Sequence, residues 1–190
     1  MMDSPQIQTI SPLVDKKPLT DDKIAIAEVP MRGKITLRGD QQDAAFQKAI
    51  KKTTKLALPL AQFESHHKDQ LSLYKLTPDE WMIFCALDQL LPLMAALEDA
   101  LQSVHHALVD VSDYYTEINL KGANTLNMLA AGIVLNLNES EFPIGMACYT
   151  DWHLANILLM RNDQDDFTAM VRWSMAPYLY DYFTQSAKAI

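Results

Sequence analysis

Lys34-Ile35-Thr36-Leu37-Arg38 alternates polar and apolar residues, the two-residue period of a strand with one buried face, and Gly39 closes it. The period then changes. Ala45, Phe46, Ala49 and Ile50 recur at helical spacing, and Asp40 stands where an N-cap is expected. A loop-rich stretch through His66 and His67 leads to a predicted hairpin, with Leu71–Tyr74 and Trp81–Cys85 as arms and Thr77-Pro78-Asp79 in the turn. Leu87, Leu90, Leu91, Met94, Leu97 and Leu101 follow at three- and four-residue intervals, predicting a helix with one apolar face and Pro92 in its first turns. Leu108–Val111 and Thr116–Leu120 read as strands on either side of Ser112-Asp113-Tyr114. Gly122 then precedes a helix with Ala123, Leu126, Leu129 and Ala130 facing inward.

The pattern repeats. Ile35-Thr36-Leu37-Arg38-Gly39 and Ile118-Asn119-Leu120-Lys121-Gly122 share the form I-x-L-basic-G ahead of a helix, 83 residues apart. At an offset of 86, Glu80-Trp81 and its following helix match Asp166-Phe167 and the helix of Met175, Leu179, Tyr182 and Phe183. Such units are too small to cover both faces of a sheet alone. The expected fold class is therefore α+β: two similar split β-α-β halves, about 31–103 and 104–187, forming mainly antiparallel sheet with helices packed on it. Residues 1–30, with Pro5, Pro12, Pro18 and Pro30 among polar residues, are expected to form an extended N-terminal arm beside a single domain over 31–190.

Composition narrows the function classes. The chain has 190 residues, 49% hydrophobic and 21% charged, as ordinary globular proteins do. A net charge of −8, with Lys51, Lys52 and Lys55 as the longest basic group, argues against nucleic-acid binding and reads that group as a solvated helix end. Cys85 and Cys148 lie in apolar surroundings without CxxC spacing, which predicts free thiols in a reducing compartment. No apolar run has bilayer-spanning length and the N-terminus lacks signal-peptide character, so a cytoplasmic location is expected.

Candidate chemistry is sparse. His66-His67 and His105-His106 invite a metal reading, with His153 as a further donor. Adjacent histidines, however, diverge on a strand or a helix, and surface or turn roles fit them better. Ser112-Asp113 lacks a nucleophile elbow, and both cysteines fall in strand-like segments. Gly39 and Gly122 stand alone, without a phosphate-binding glycine motif. Asp163, Asp165 and Asp166 read as a hairpin turn. Asp110, which interrupts an apolar strand, needs hydrogen-bond partners if buried and suits a structural role better than catalysis. Tyr178, Tyr180 and Tyr182 cannot share one helical face, so part of that aromatic area is expected at a partner surface. No catalytic, cofactor-binding or metal-ligating residue is assigned.

The ordered set Arg38-Gly39-Asp40, Pro78-Asp79-Glu80-Trp81, Val109-Asp110-Val111-Ser112-Asp113, Leu120 with Gly122, Phe142-Pro143-x-Gly145 and Tyr178-Leu179 resembles gamma subunits of heterotetrameric sarcosine oxidase from about Ala27 to Phe183. The resemblance implies a fold like the folate-binding domain of glycine-cleavage T-protein. It also implies a complex that demethylates sarcosine with oxygen and tetrahydrofolate, giving glycine, hydrogen peroxide and methylene-tetrahydrofolate. FAD, FMN, NAD and tetrahydrofolate would then belong to partner alpha, beta and delta subunits, with this chain as a non-catalytic gamma subunit. A stand-alone folate-binding or one-carbon transfer module is the competing expectation. Arg172-Trp173-Ser174 and Tyr180-Asp181-Tyr182 depart from the family pattern and leave open another N-methyl amine as the complex's substrate.

Overall fold

A computed structural model describes residues 10–21 and 23–190. Pro5, counted in the N-terminal arm, lies outside the described residues. Along the chain run β1 (Leu19–Thr20), β2 (Ala25–Glu28), β3 (Gly33–Gly39), α1 (Ala44–Thr54), β4 (Ser65–Lys68), β5 (Leu71–Thr77), β6 (Glu80–Cys85) and α2 (Leu90–Leu101). There follow β7 (His106–Asp110), β8 (Tyr115–Lys121), α3 (Thr125–Ala130), β9 (Ala147–Trp152), β10 (Ala155–Asp163), β11 (Asp166–Arg172) and α4 (Ala176–Lys188). Short 3-10 turns, Leu87–Gln89 and Trp173–Met175, lead into α2 and α4.

Two antiparallel sheets result, ordered β4-β5-β6-β3-β7 and β1-β2-β8-β11-β10-β9. Alternate residues divide between the faces of each sheet. Ile35, Leu37, Leu73, Trp81 and Ile83 face α1 and α2. Ile118, Leu120, Ile157, Leu159, Phe167 and Ala169 face α3 and α4. Tyr74, Met82 and Phe84 of one sheet meet Leu158, Met160 and Met170 of the other. The α+β class holds, in four layers with the sheets back to back and the helices outside.

The duplication read from the sequence is present in atomic detail. Leu37 pairs with Trp81 and Leu120 with Phe167, and the ion pairs Arg38–Glu80 and Lys121–Asp166 flank these contacts equivalently. Gly39 and Gly122 donate their N–H to the carbonyls of Asp79 and Asp165. Each unit has one more strand than the pattern suggested, because β4 and β9 form sheet edges. His66-His67 therefore sits on a strand rather than in a loop.

The leading strands are exchanged between the halves. β7, just before β8 in the chain, pairs with β3, while β2, just before β3, pairs with β8. The N-terminal arm is accordingly not peripheral: Ile24 and Ile26 are buried in the core, and the Tyr180 hydroxyl lies 2.8 Å from the Lys17 carbonyl and 3.2 Å from that of Ile26. Proline excluded a long helix there, but it left Ala25–Glu28 free to join a sheet, a pairing that local pattern does not encode.

Local details also differ. Asp43, not Asp40, caps α1, accepting from the Ala45 and Phe46 N–H groups. Leu87 and Leu91 are exposed, and α2 buries Leu90, Leu97 and Leu101. In the shorter α3, Thr125, Met128 and Leu129 point inward while Ala123 and Ala130 are exposed.

Two substitutions test this architecture. Ile26→Ala is expected to cost about 2–5 kcal/mol by urea unfolding, as a core truncation does, whereas a detached arm would give no measurable change. Gly122 adopts φ +128, and an added Cβ would run into the Lys23 carbonyl. Gly122→Ala should therefore lose about 2 kcal/mol or more, and Gly145→Ala, beside only the Ser65 hydroxyl, should lose less.

Candidate functional site

The exchange creates a seam between the sheets, and Lys34 and Glu117 face each other across it. They occupy equivalent positions, each directly before the isoleucine of the repeated motif. The equivalence extends to the backbone: Val111 N–H donates to the Lys34 carbonyl and Val29 N–H to that of Glu117. Both side chains are almost wholly buried, with Lys34 Nζ 3.4 Å from Glu117 Oε1. Arg32 completes the cluster from the other side, its Nε 3.1 Å from both Glu117 oxygens and its guanidinium over the Phe84 ring. Burial holds the Lys34 ammonium below the ordinary lysine pKa, and Glu117 opposes that shift.

Next to this pair opens a cleft of about 400 Å³. Pro12, Glu28, Pro30 and Met31 wall one side and Ser112, Asp113, Tyr115 and Trp173 the other. Lys34 Nζ also donates to the Arg32 carbonyl at 3.2 Å, and Lys34 N–H to Ser112 Oγ at 2.9 Å. Ser112 Oγ in turn donates to Asp110 at 2.6 Å. The Ser112 hydroxyl is thus committed to the backbone junction of β3 and β7. Asp110 is exposed and obtains its partners from Ser112, in keeping with a structural role.

The other sequence candidates lie apart. His66 contacts the Ala57 carbonyl and Glu64, whereas His67 contacts Ser65 and the Tyr74 ring, so the two diverge as strand geometry requires. Burial lowers the His67 pKa. His106 contacts the Val104 carbonyl and Glu98, and His105 is exposed. His153 stands on the β9–β10 turn with its ring 4.5 Å from that of Tyr182. Among the described residues no three His, Cys, Asp or Glu side chains gather around a common point. Cys85 and Cys148 are free thiols whose pKa burial raises, which favours the unreactive protonated form. Asp163 and Asp166 belong to the β10–β11 hairpin, Asp166 being held by Asn119, Asn162 and Lys121. Tyr180 is buried, while Tyr178 and Tyr182 are half-buried and touch each other.

Sequence reading did not single out Lys34, Glu117 or Arg32, and marked Trp173 only as a departure from the family pattern. A signal existed: aligning the two I-x-L-basic-G motifs places a lysine and a glutamate at one position of the repeat.

The geometry defines a duplicated two-sheet domain with a charge-paired seam. The chain belongs to the sarcosine oxidase gamma subunit family, whose sequence model matches residues 38–189. A solved heterotetrameric sarcosine oxidase from Corynebacterium sp. U-96, in complex with pyrrole 2-carboxylate, contains a chain of the same fold. The TM-score is 0.86 at 19% identity, covering 95% of both chains. The glycine cleavage system aminomethyltransferase T from Bartonella henselae shares the fold more loosely, with a TM-score of 0.62 at 14% identity, over 85% of this chain and 45% of that one. No curated protein matches the chain by sequence.

The seam makes an asymmetric prediction. Removing Glu117 strands two cations, one fully buried, so Glu117→Ala should cost about 3–5 kcal/mol, whereas Lys34→Met leaves Glu117 with Arg32 and should cost no more than about 1–2 kcal/mol. Equal losses in urea would show that Arg32 does not compensate Glu117. Because Lys34 releases its proton more readily folded than unfolded, wild-type stability should rise relative to Lys34→Met as pH approaches the ordinary lysine value of 10.5 from below. A gap that widened in favour of the variant would reverse that sign.

Proposed function

We propose that this chain is the non-catalytic gamma subunit of a heterotetrameric sarcosine oxidase, supporting assembly of a complex that demethylates sarcosine to glycine and passes the one-carbon unit to tetrahydrofolate. The carrying observation is the family match across residues 38–189. The seam is consistent with it: Lys34, Glu117 and Ser112 spend their polar groups on one another, on Arg32 and Asp110, and on backbone. On this reading FAD, FMN, NAD and tetrahydrofolate reside in the alpha, beta and delta subunits. A cytoplasmic setting, with Cys85 and Cys148 reduced, belongs to the same proposal.

The likeness to aminomethyltransferase T keeps a second reading in play, a module that binds folate by itself. Two measurements separate them. Co-expression with the alpha, beta and delta subunits should give a complex of fixed stoichiometry that forms peroxide from sarcosine. Persistent recovery of the chain alone would overturn the accessory role. Calorimetric titration of the isolated chain with tetrahydrofolate should show no saturable heat; saturable binding would favour the one-carbon module.

A further inference from the structure

The cleft beside the seam carries more than a structural ion pair. Its rim exposes large apolar side chains: Trp173 is 49% exposed, Met31 41% and Ile10 61%. The backbone of Trp173 is held by its main-chain N–H, which donates to the Tyr114 carbonyl at 2.9 Å, and by the 3-10 turn it begins. Tyr114, also exposed, lies edge-on to Tyr115 of the cleft wall. Exposed tryptophan and tyrosine around a concave surface are the residue types that anchor protein interfaces.

The charges say what the surface is suited to receive. Among the described residues the lining holds three carboxylates, Glu28, Asp113 and Glu117, against one cation, Lys34. Glu117 is taken up by Lys34 and by Arg32. Among the described residues Glu28 accepts from the Ser11 hydroxyl, and Asp113, near enough for its charge to act on Lys34, makes no hydrogen bond or ion pair of its own. Lys34, the one cation of the lining, is engaged with Glu117 and the Arg32 carbonyl. Among the described residues the wall thus offers acceptors and an indole face and no free positive charge of its own, while beside it Arg172 lies over the Tyr114 ring. A guanidinium satisfies both at once, since it donates to carboxylates in a planar fork and stacks on aromatic rings.

From this geometry we infer that the Trp173–Asp113–Glu28 cleft is the docking site for an arginine-bearing segment of a partner subunit. The inference rests on the accessory-subunit reading and adds where the contact lies and which chemistry fills it. The first nine residues of this chain, Met-Met-Asp-Ser-Pro-Gln-Ile-Gln-Thr, contain no lysine or arginine and cannot supply that charge from a side chain.

The test uses the full chain co-expressed with the alpha, beta and delta subunits. Asp113→Lys and Trp173→Ala are each expected to lower the amount retained on the complex at least tenfold, with Asp113→Asn in between. Leu154→Ser, an exposed residue on the β9–β10 turn, should leave it unchanged. Trp81 and Trp152 are buried, so acrylamide quenching reports chiefly on Trp173; it should be efficient in the isolated chain and suppressed in the complex. If wild type assembles and the variants assemble equally well, or if Trp173 stays quenchable in the complex, the docking site is wrong while the accessory role stands. If wild type does not assemble, the accessory role itself fails. Stronger Trp173 quenching after deletion of residues 1–9 would identify the chain's own N-terminus as the occupant and overturn the proposal. So would tenfold-selective binding of free methylguanidinium with no effect of the variants on assembly.

Discussion

The two sheets of this protein are held in register by the pairing of each half's leading strand with the other half's sheet. β2 completes the sheet begun by β8, and β7 completes the one begun by β3. Neither half then owns its edge, so the back-to-back layer of Tyr74, Phe84, Leu158 and Met170 cannot open without breaking strand hydrogen bonds as well as apolar contacts. Exchange also brings equivalent positions face to face. Identical residues at 34 and 117 would bury two like charges together, whereas a lysine and a glutamate form a pair. The desolvation cost of such a pair is large, so its contribution is better understood as fixing alignment than as adding stability. Arg32 tips the balance by giving Glu117 a second, partly solvated partner.

That seam organises the surface beside it. With Lys34 turned inward to Glu117, the carboxylates of Asp113 and Glu28 are left facing the cleft, and the 3-10 turn after β11 holds Trp173 at its rim. The equivalent turn before α2 exposes Leu87 instead. The two halves repeat the same order of strands and helices, and their surfaces differ here by a few side chains at matched places.

Much of the fold was legible because its units are local. The alternation in Lys34–Arg38, the turn at Thr77-Pro78-Asp79 and the recurrence of I-x-L-basic-G each encode short-range geometry, and each appears as expected. What was illegible was non-local or polar. Ala25–Glu28 reads as an arm because nothing nearby says that Ile26 will lie opposite Leu120. Ser65–Lys68 lacks apolar alternation because an edge strand needs little of it. Asp40 and Asp43 offer the same carboxylate to a helix, and only the path of the loop chooses Asp43. The candidate site was hidden for a similar reason: a lysine and a glutamate more than eighty residues apart look like surface charges until the strands beside them are paired. The histidine pairs, prominent in sequence, proved to be separate side chains with ordinary neighbours.

The exchange of leading strands also sets an order for the chain's birth. β2 emerges from the ribosome early, but its partner β8 follows some ninety residues later, and β7 must reach back to β3 past the whole first helical layer. At the ordinary pace of synthesis, about 5–20 residues per second, β2 waits several seconds with Ile24 and Ile26 uncovered. Pro18 and Pro30, with Asp21, Lys23 and Glu28, are the kinds of residue that disfavour stray pairing of such a strand. A strand that must wait for its partner needs restraint as much as fit.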